Sequence, residues 1–276
     1  MSVFARLSKA ALLALAMPGA AVAAPERIVS INLCTDQLTM LVADPSQIAS
    51  LSFLATEPQS SAMVEQAAAF PVNYGRAEEV FLMDPDLVLA GTFTTPATVT
   101  MLRGLGFRVE QIDAVRDVDG VADRLREIGR LVGQDARAEA LAKAYEDDLA
   151  TLRADVQERP RAALYYANGY TLGDKSLAGQ ILLAAGFDNV ATEAGFSGGV
   201  MTLELLVTLM PDLVVEGQRY PGASRSEAIL DHPALAALSD ARQGDTISDS
   251  DWVCGTPFVL RAVRELAERR RALTGE

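Results

Sequence analysis

The chain has 276 residues, with 24 Lys and Arg against 37 Asp and Glu, which gives a formal net charge of −13 at pH 7. A chain this acidic is not expected to bind nucleic acid, because phosphate contacts need clusters of Lys and Arg. The hydrophobic fraction of 50% is enough to fill the core of one large domain or of two modest ones.

The first 23 residues have the pattern of a secretory signal peptide. Arg6 and Lys9 form a short basic region, an apolar run follows at 10–17, and a small-residue cleavage site ends at Ala23. The apolar run is too short to anchor a protein across a bilayer. We therefore expect export to the periplasm and cleavage near Ala23.

Beyond this segment, short apolar strands alternate with amphipathic helices. Apolar and β-branched runs predict strands at 27–32, 48–52, 86–91 and 108–113. Strands that are apolar throughout are typical of a parallel sheet whose two faces are both covered by helices. The pattern predicts an α/β lobe over residues 24–133.

The alternation stops between 118 and 158, where the sequence predicts helices and no strand. One amphipathic helix ends at Gly133, and a second, predicted over 134–158, carries a single stripe of apolar side chains. At 1.5 Å per residue the second helix spans roughly 35 Å. This length suits a connector between two lobes.

Strands and helices then alternate again over 159–276. Strands are predicted at 161–168, 212–217 and 245–249, and a terminal helix is predicted with Pro257 in its first turn. The fold class expected is therefore α/β, with two Rossmann-like lobes that contain parallel sheets and are joined by a long linker helix.

One pattern occurs twice, once in each predicted lobe. Residues 78–91 read EEVFLMDPDLVLAG, and residues 204–217 read ELLVTLMPDLVVEG. Both begin with a Glu, continue through an apolar helical stretch to Pro-Asp-Leu-Val, and end at a Gly. The repetition predicts one helix-then-strand unit of the same build in each lobe.

The sequence lacks the common catalytic and metal-binding sets. His232 is the only histidine, which excludes a zinc site with several His ligands and disfavours a Ser-His-Asp triad. It precedes a Pro at a predicted helix boundary, where a structural role is expected. No Walker loop or dinucleotide-binding glycine motif is present. We therefore expect no enzyme, no metal site and no cofactor.

The two cysteines, Cys34 and Cys254, are far apart in the chain. In an oxidising compartment a pair of this kind usually forms a disulfide, and a disulfide is our prediction. Two free thiols, or thiols beside a bound metal complex, are the alternatives.

Several segments together resemble a known family. They are RIVSINLCTDQLTML at the first strand, the two repeated segments, the strandless helical linker, and SDSDWVCGTPFVLRAVREL near the end. In this order they resemble the helical-backbone periplasmic substrate-binding proteins of ABC importers for ferric siderophores, haem and cobalamin. The stretch SDW before a Pro-containing helix start is most similar to the vitamin B12-binding members. The resemblance covers essentially the whole chain after the signal peptide.

The resemblance implies an extracytoplasmic solute-binding component of an ABC importer. Such a protein, expected as a monomer, captures a small metal chelate, here a ferric siderophore or cobalamin, between its lobes and delivers it to the permease dimer in the inner membrane. The alternatives are a haem-binding importer component, and an exported sensor or enzyme on the same fold. Haem-binding members ligate iron through a Tyr near the position of Tyr74, but its spacing to Glu78 departs from theirs, which argues against haem.

The resemblance also implies which acids dock to the permease. Family members present one Glu on each lobe to Arg residues of the permease dimer, and the matching positions are Glu78 and Glu204. Glu79 is an alternative in the first lobe. The competing interpretation is that each acid only complements the positive end of its own helix.

The cargo is expected between the lobes, outside the carboxyl ends of the strands. Aromatic side chains beside cationic and amide groups in these segments suit a flat macrocycle or an aromatic chelate. The candidate contacts are Asn32, Cys34, Thr35, Tyr74, Arg76, Thr92, Phe93, Tyr166, Asn168, Tyr170, Arg219, Tyr220, Asp251 and Trp252.

Overall fold

The structure is a computed structural model. It describes residues 23–154, 156–219, 222, 224–242, 245–246 and 249–275. The predicted signal peptide up to residue 22 and the candidate contact Tyr220 lie outside the described residues.

The N lobe is built on a five-stranded sheet with the strand order β3-β2-β1-β4-β5. All neighbouring strands in it are parallel, as their continuous apolar sequences predict. The strands are β1 (Ile28–Ser30), β2 (Ile48–Ser52), β3 (Val72–Asn73), β4 (Leu87–Gly91) and β5 (Val109–Ile112). The helices are α1 (Leu33–Val42), α2 (Val64–Ala67), α3 (Ala77–Leu82) and α4 (Pro96–Gly104).

Helices cover both faces of the N-lobe sheet. On one face, Ile28 and Leu89 pack in a cluster with Leu38 of α1. On the other face, Val29 and Val88 pack against α3 and α4 in a separate cluster. Successive strand residues therefore face opposite layers and are both buried, which explains why these strands are apolar throughout rather than alternating.

Two long helices follow, α5 (Gly120–Val132) and α6 (Asp135–Ala154). The described residues between 118 and 158 contain no strand. The α6 helix contacts α5 along its length and also touches helices of the second lobe. Tyr145 of α6 is buried, and its hydroxyl donates to the Val118 carbonyl at 2.6 Å. One cluster of buried side chains extends from the N-lobe sheet through these helices to the second sheet.

The C lobe contains a four-stranded parallel sheet with the order β11-β10-β6-β8 and a small antiparallel pair, β7-β9. Its strands are β6 (Arg161–Tyr165), β7 (Tyr170–Leu172), β8 (Asp188–Asn189), β9 (Gly198–Val200), β10 (Leu213–Glu216) and β11 (Asp245–Thr246). Its helices are α7 (Leu177–Ala184), α8 (Val190–Glu193), α9 (Leu203–Leu209), α10 (Pro233–Arg242), α11 (Asp249–Trp252) and α12 (Val259–Thr274).

The end of the chain differs from the prediction in two details. Among the described residues of the strand expected over 245–249, Asp245–Thr246 form β11 and Asp249 already begins α11; Asp and Ser favour helix starts over strands. The terminal helix α12 begins at Val259, so Pro257 precedes the helix instead of lying in its first turn.

Candidate functional site

The repeated segments occupy equivalent places in the two lobes. Each starts with a short helix, α3 or α9, whose second residue is the Glu. Each helix is followed by a residue with a left-handed backbone, Asp84 at φ 46° and Met210 at φ 48°. Each segment then enters a strand, β4 or β10, that pairs with the first strand of its own lobe. The helix-then-strand unit predicted from the repetition is therefore present in both lobes.

The Asp of each Pro-Asp pair ties this unit to the first strand of its lobe. Asp86 accepts the Arg27 backbone N–H at 3.0 Å, and Asp212 accepts the Arg161 backbone N–H at 2.9 Å. The reverse backbone bonds are also present, from Asp86 N–H to the Arg27 carbonyl and from Asp212 N–H to the Arg161 carbonyl. The repeated Asp is thus a structural anchor.

The two arginines complete the anchor by capping the carboxyl ends of the repeated helices. The Arg27 guanidinium donates to the Met83 carbonyl at 2.6 Å, and the Arg161 guanidinium donates to the Leu209 carbonyl at 2.7 Å. These carbonyls hold the same position in the two repeated segments. They have no partner within their own helix, so an Arg side chain satisfies them.

The glycine that ends each segment allows a close approach. A Cβ on Gly91 would lie 2.6 Å from Cγ of Asn32, and a Cβ on Gly217 would lie 2.6 Å from Cδ1 of Tyr166. Asn32 and Tyr166 each follow the first strand of their lobe. In both lobes the terminal glycine therefore makes room for a side chain that was expected in the cleft.

The Glu residues that open the two segments have no such structural task. Glu78 and Glu204 are exposed, and neither carboxylate makes a hydrogen bond or ion pair within the described residues. The adjacent Glu79 differs, because its Oε2 accepts the Tyr74 backbone N–H at 2.8 Å. Glu78 and Glu79, the alternatives in the first lobe, thus differ in whether their carboxylate is already hydrogen-bonded.

A cavity of about 270 Å³, here called the switch-point pocket, lies at the carboxyl ends of β1, β4 and β5. The chain leaves β1 toward β2 on one side, and β4 lies on the other side. Such a switch point is the usual ligand position in open parallel sheets. Val253 and Gly255 of the C lobe close the pocket, which makes it an interlobe site.

Five predicted contacts line the switch-point pocket. Asn32 caps α1 by accepting the Cys34 backbone N–H at its Oδ1 at 3.0 Å. The predicted residues in the lining are Asn32, Cys34, Thr35, Thr92 and Phe93. The lining also includes Asp113, Arg124 and Val253, which the sequence did not single out.

A disulfide joins Cys34 of α1 to Cys254, which confirms the predicted pairing. It connects the two lobes at the edge of the switch-point pocket. The next residue, Gly255, packs so tightly on the N lobe that an added Cβ would lie 2.1 Å from Cβ of Val115. The loop after α11 is therefore fixed to the N lobe by a covalent bond and by close packing.

A second cavity of about 340 Å³, here called the aromatic pocket, lies on the C-lobe side of Val253. Tyr166 and Trp252 line it, with their rings edge to face and their centroids 5.9 Å apart. Trp252 is 7% exposed, so it both packs in the core and borders the pocket. Val253 borders both pockets. The residues that line the aromatic pocket all belong to the C lobe, and the two adjoining pockets are here together called the interlobe cleft.

Three predicted contacts lie at the surface outside these two pockets. Tyr74 is 62% exposed and stacks on Phe53, with the ring centroids 5.4 Å apart. Arg76 is exposed immediately before α3, and Tyr170 is exposed at the start of β7. None of the three lines the switch-point pocket or the aromatic pocket.

The remaining predicted contacts have other surroundings. Arg219 pairs with Asp231 and donates to the Leu230 carbonyl at 3.0 Å. Asp251 pairs with Arg261 at 3.3 Å, and partial burial raises the pKa of the Asp251 carboxyl.

Asn168 borders a groove beside Glu204 rather than the two pockets. His232 lines the same groove, and its Nδ1 accepts the Ala234 backbone N–H at 3.2 Å near the start of α10. His232 therefore has the structural role expected from the sequence.

A buried acid lies in the N lobe on the helix that borders the switch-point pocket. Asp36 of α1 is fully buried and accepts the Ser52 backbone N–H at 3.1 Å and the Ser52 hydroxyl. Burial, opposed by these hydrogen bonds, raises the pKa of the Asp36 carboxyl to about 7.

Residues 28–250 match the sequence model of a family described as periplasmic binding protein. The chain belongs to this family. A cobalamin-binding protein of Halobacterium salinarum is 31% identical over 199 residues, which are 70% of this chain and 54% of that relative. The chain thus spans about half the length of the curated relatives it matches.

Solved structures show the same fold as this periplasmic binding protein. A haem-binding protein from Roseiflexus sp. RS-1 superposes with a TM-score of 0.74 at 21% identity, over 90% of this chain and 98% of that one. The vitamin B12-binding protein of Vibrio cholerae gives 0.68 at 17% identity, over 91% and 99%. The part of the chain that the structure describes has no helix long and apolar enough to cross a membrane.

Proposed function

We propose that this protein is the extracytoplasmic solute-binding component of an ABC importer and that its cargo is a cobalamin-class corrinoid. The observation that carries the proposal is the interlobe cleft, in which the switch-point pocket and the aromatic pocket meet at Val253. Apolar and aromatic walls with a few polar groups suit a large flat ligand that both lobes hold. The curated relative at 31% identity is a cobalamin-binding protein, which supports a corrinoid before a ferric siderophore.

The proposal includes export to the periplasm through the signal peptide predicted over residues 1–23. The disulfide between Cys34 and Cys254 supports it, because disulfides persist in the periplasm and are rare in the reducing cytosol. The disulfide also restricts how far the lobes separate, together with the core that extends through α5 and α6.

The proposal assigns permease docking to Glu78 and Glu204. Both are exposed second residues of equivalent helices in the two lobes, so the pair can meet a partner made of two related subunits. Charge-assisted bonds to Arg side chains are strong and directional. Glu79 is left out because its carboxylate is already bound to the Tyr74 backbone. The pair should be required for transport and dispensable for cargo binding.

A titration of the purified protein tests the proposed cargo. Trp252 is the only Trp in the chain and borders the aromatic pocket, so a ligand in the cleft should quench its fluorescence. The probes are cyanocobalamin, haemin and a ferric trihydroxamate. We expect saturable quenching with cyanocobalamin at the lowest concentration. Saturation by the hydroxamate or haemin alone would reassign the cargo, and no binding of any probe would contradict the importer function.

A further inference from the structure

The switch-point pocket carries a charge that the sequence did not reveal. Among the described residues that line the two pockets of the cleft, Arg124 is the one cation and Asp113 the one carboxylate. Asp113 accepts from the Thr92 hydroxyl at 3.2 Å at the exposed edge of β5. In a protein with a net charge of −13, an Arg at the cleft gives an anionic group a local partner.

The Arg124 side chain is more buried than that of Glu127, its ion-pair partner. It projects from α5, where its guanidinium pairs with Glu127, and the two side chains are 16% and 37% exposed. Its Nε is buried and has no hydrogen-bond partner. A buried donor without a partner is unfavourable, because it has lost its hydrogen bond to water without replacing it. The guanidinium therefore has donor capacity beyond what Glu127 uses.

The neighbouring polar group also presents donors. The Asn32 amide lines the same pocket, and its Oδ1 already accepts the Cys34 backbone N–H. Asn32 can offer a ligand the two donors of its NH2 group. The amide position is fixed, because its side chain lies against Gly91 with no space for a Cβ between them. Arg124 and Asn32 together suit an oxygen acceptor, above all an oxyanion.

The size of the pocket limits what part of a ligand enters it. Its volume of about 270 Å³ is below the roughly 300–1,000 Å³ of sites that enclose a whole drug-sized ligand. A corrin or porphyrin ring is too large to be enclosed there, whereas one side arm fits. The ring must then lie outside, toward Val253 and the aromatic pocket.

We propose that the switch-point pocket binds an anionic side arm of the cargo, a phosphodiester or a carboxylate, with Arg124 as its counter-ion. This inference rests on the proposed function and specifies the cargo: the macrocycle carries an oxyanion, and the protein selects for it. On a corrinoid with its nucleotide arm the oxyanion is the phosphodiester, and on a porphyrin it is a carboxylate.

The test compares two ligand pairs, and in each pair one member lacks the anionic group. Cyanocobalamin is paired with dicyanocobinamide, which lacks the nucleotide phosphodiester, and haemin is paired with its dimethyl ester. Affinities are measured by equilibrium dialysis on the disulfide-bonded protein and on Arg124→Gln, Arg124→Lys and Arg130→Gln. Arg130 is an exposed Arg on the same helix, so its variant is the matched control.

For a pair that the wild-type protein binds, we expect Arg124→Gln to weaken the anionic member by about tenfold or more, because a hydrogen bond to a charged group is lost. The other member should change little, and Arg130→Gln should match the wild type with both. Arg124→Lys should fall between, because it keeps the charge without the planar fork. It also serves as the test if Arg124→Gln does not fold.

Equal weakening of both members, or no change with either, would overturn the role of Arg124. So would a wild-type protein that binds the two members of a pair equally. If the wild-type protein binds neither pair, the proposed corrinoid cargo fails first, and the anionic-arm assignment fails with it. The pair that responds identifies the phosphodiester or the carboxylate as the bound group.

Discussion

Each lobe contains one copy of the helix-then-strand unit, and the two lobes differ in the buried side chains around it. In both, an Asp and an Arg anchor the unit to the first strand, through Asp86 with Arg27 and through Asp212 with Arg161. Behind the N-lobe unit, the buried Asn73 amide donates to the Ser30 carbonyl and the Ser50 hydroxyl. In the C lobe, buried Ile181 and Leu182 of α7 pack in the apolar core.

The comparison distinguishes the features that both lobes have from the surface that each lobe contributes to the cleft. In each lobe, the Asp and Arg of the anchor stabilise the fold. The exposed Glu is instead available for the proposed contact with a partner made of two related subunits. In the N lobe, the buried polar side chains of Ser30 and Ser52 contact α1, which borders the charged switch-point pocket, whereas the C lobe contributes the aromatic pocket. The two lobes therefore offer a cargo two different surfaces.

The largest expected effect concerns the bond that holds the lobes together. Replacing both Cys34 and Cys254 with Ser should lower the free energy of unfolding by about 2–5 kcal/mol, because the unfolded chain regains the freedom of a long closed loop. Urea denaturation of the variant and of the wild-type protein with and without reductant measures this. An unchanged denaturation midpoint in both tests would show that packing alone joins the lobes.

The next effect concerns the buried acid of the N lobe. The pKa of Asp36 is raised by burial from 3.8 to about 7, so the native state holds this proton more tightly than the unfolded chain. The stability that Asp36 contributes is present below pH 4 and is lost as the pH rises through 7.

Asp36→Asn should therefore gain stability relative to the wild-type protein between pH 4 and 8, by on the order of 2–4 kcal/mol. Denaturation curves across this pH range measure the difference, with Glu65→Gln, an exposed acid on α2, as the control. A pH-independent difference between Asp36→Asn and the wild-type protein would contradict the assignment.

The smallest expected effect compares the two anchors directly. Arg27→Met and Arg161→Met should each destabilise the protein by about 1–2 kcal/mol, because capping hydrogen bonds are lost. Arg161→Met should cost more, because Arg161 also pairs with Glu193 at 2.6 Å. Thermal denaturation ranks the two, and a larger loss for Arg27→Met would contradict the extra contribution assigned to the pair of Arg161 with Glu193.

Most of the fold follows from local sequence patterns. Apolar runs and helical periodicity predict the central strands β1, β2, β4 and β5 and the two linker helices, since burial on both faces leaves a direct mark on composition. The strands β3 and β8 are two residues long, too short to leave a pattern. The β7-β9 pair is missed because Gly198–Val200 has no strand signature.

The site was less predictable, because its residues depend on tertiary contacts. The segments after β1 and β4 were expected and do line a pocket. Arg124 was missed because an amphipathic helix shows which side is polar and not which polar residue reaches the cleft. Arg219 was expected in the cleft, and nothing in the sequence shows its pairing with Asp231.

The central claim is that the two lobes present equivalent acids to one partner, and uptake measures this directly. Labelled cyanocobalamin uptake is followed in cells of the source organism that lack the native protein and carry the wild-type protein, Glu79→Ala, or the double variant Glu78→Ala/Glu204→Ala. We predict that the double variant binds cyanocobalamin with wild-type affinity but lowers uptake to background, while Glu79→Ala transports normally. Wild-type uptake by the double variant, or a loss of cyanocobalamin affinity in it, would contradict the account.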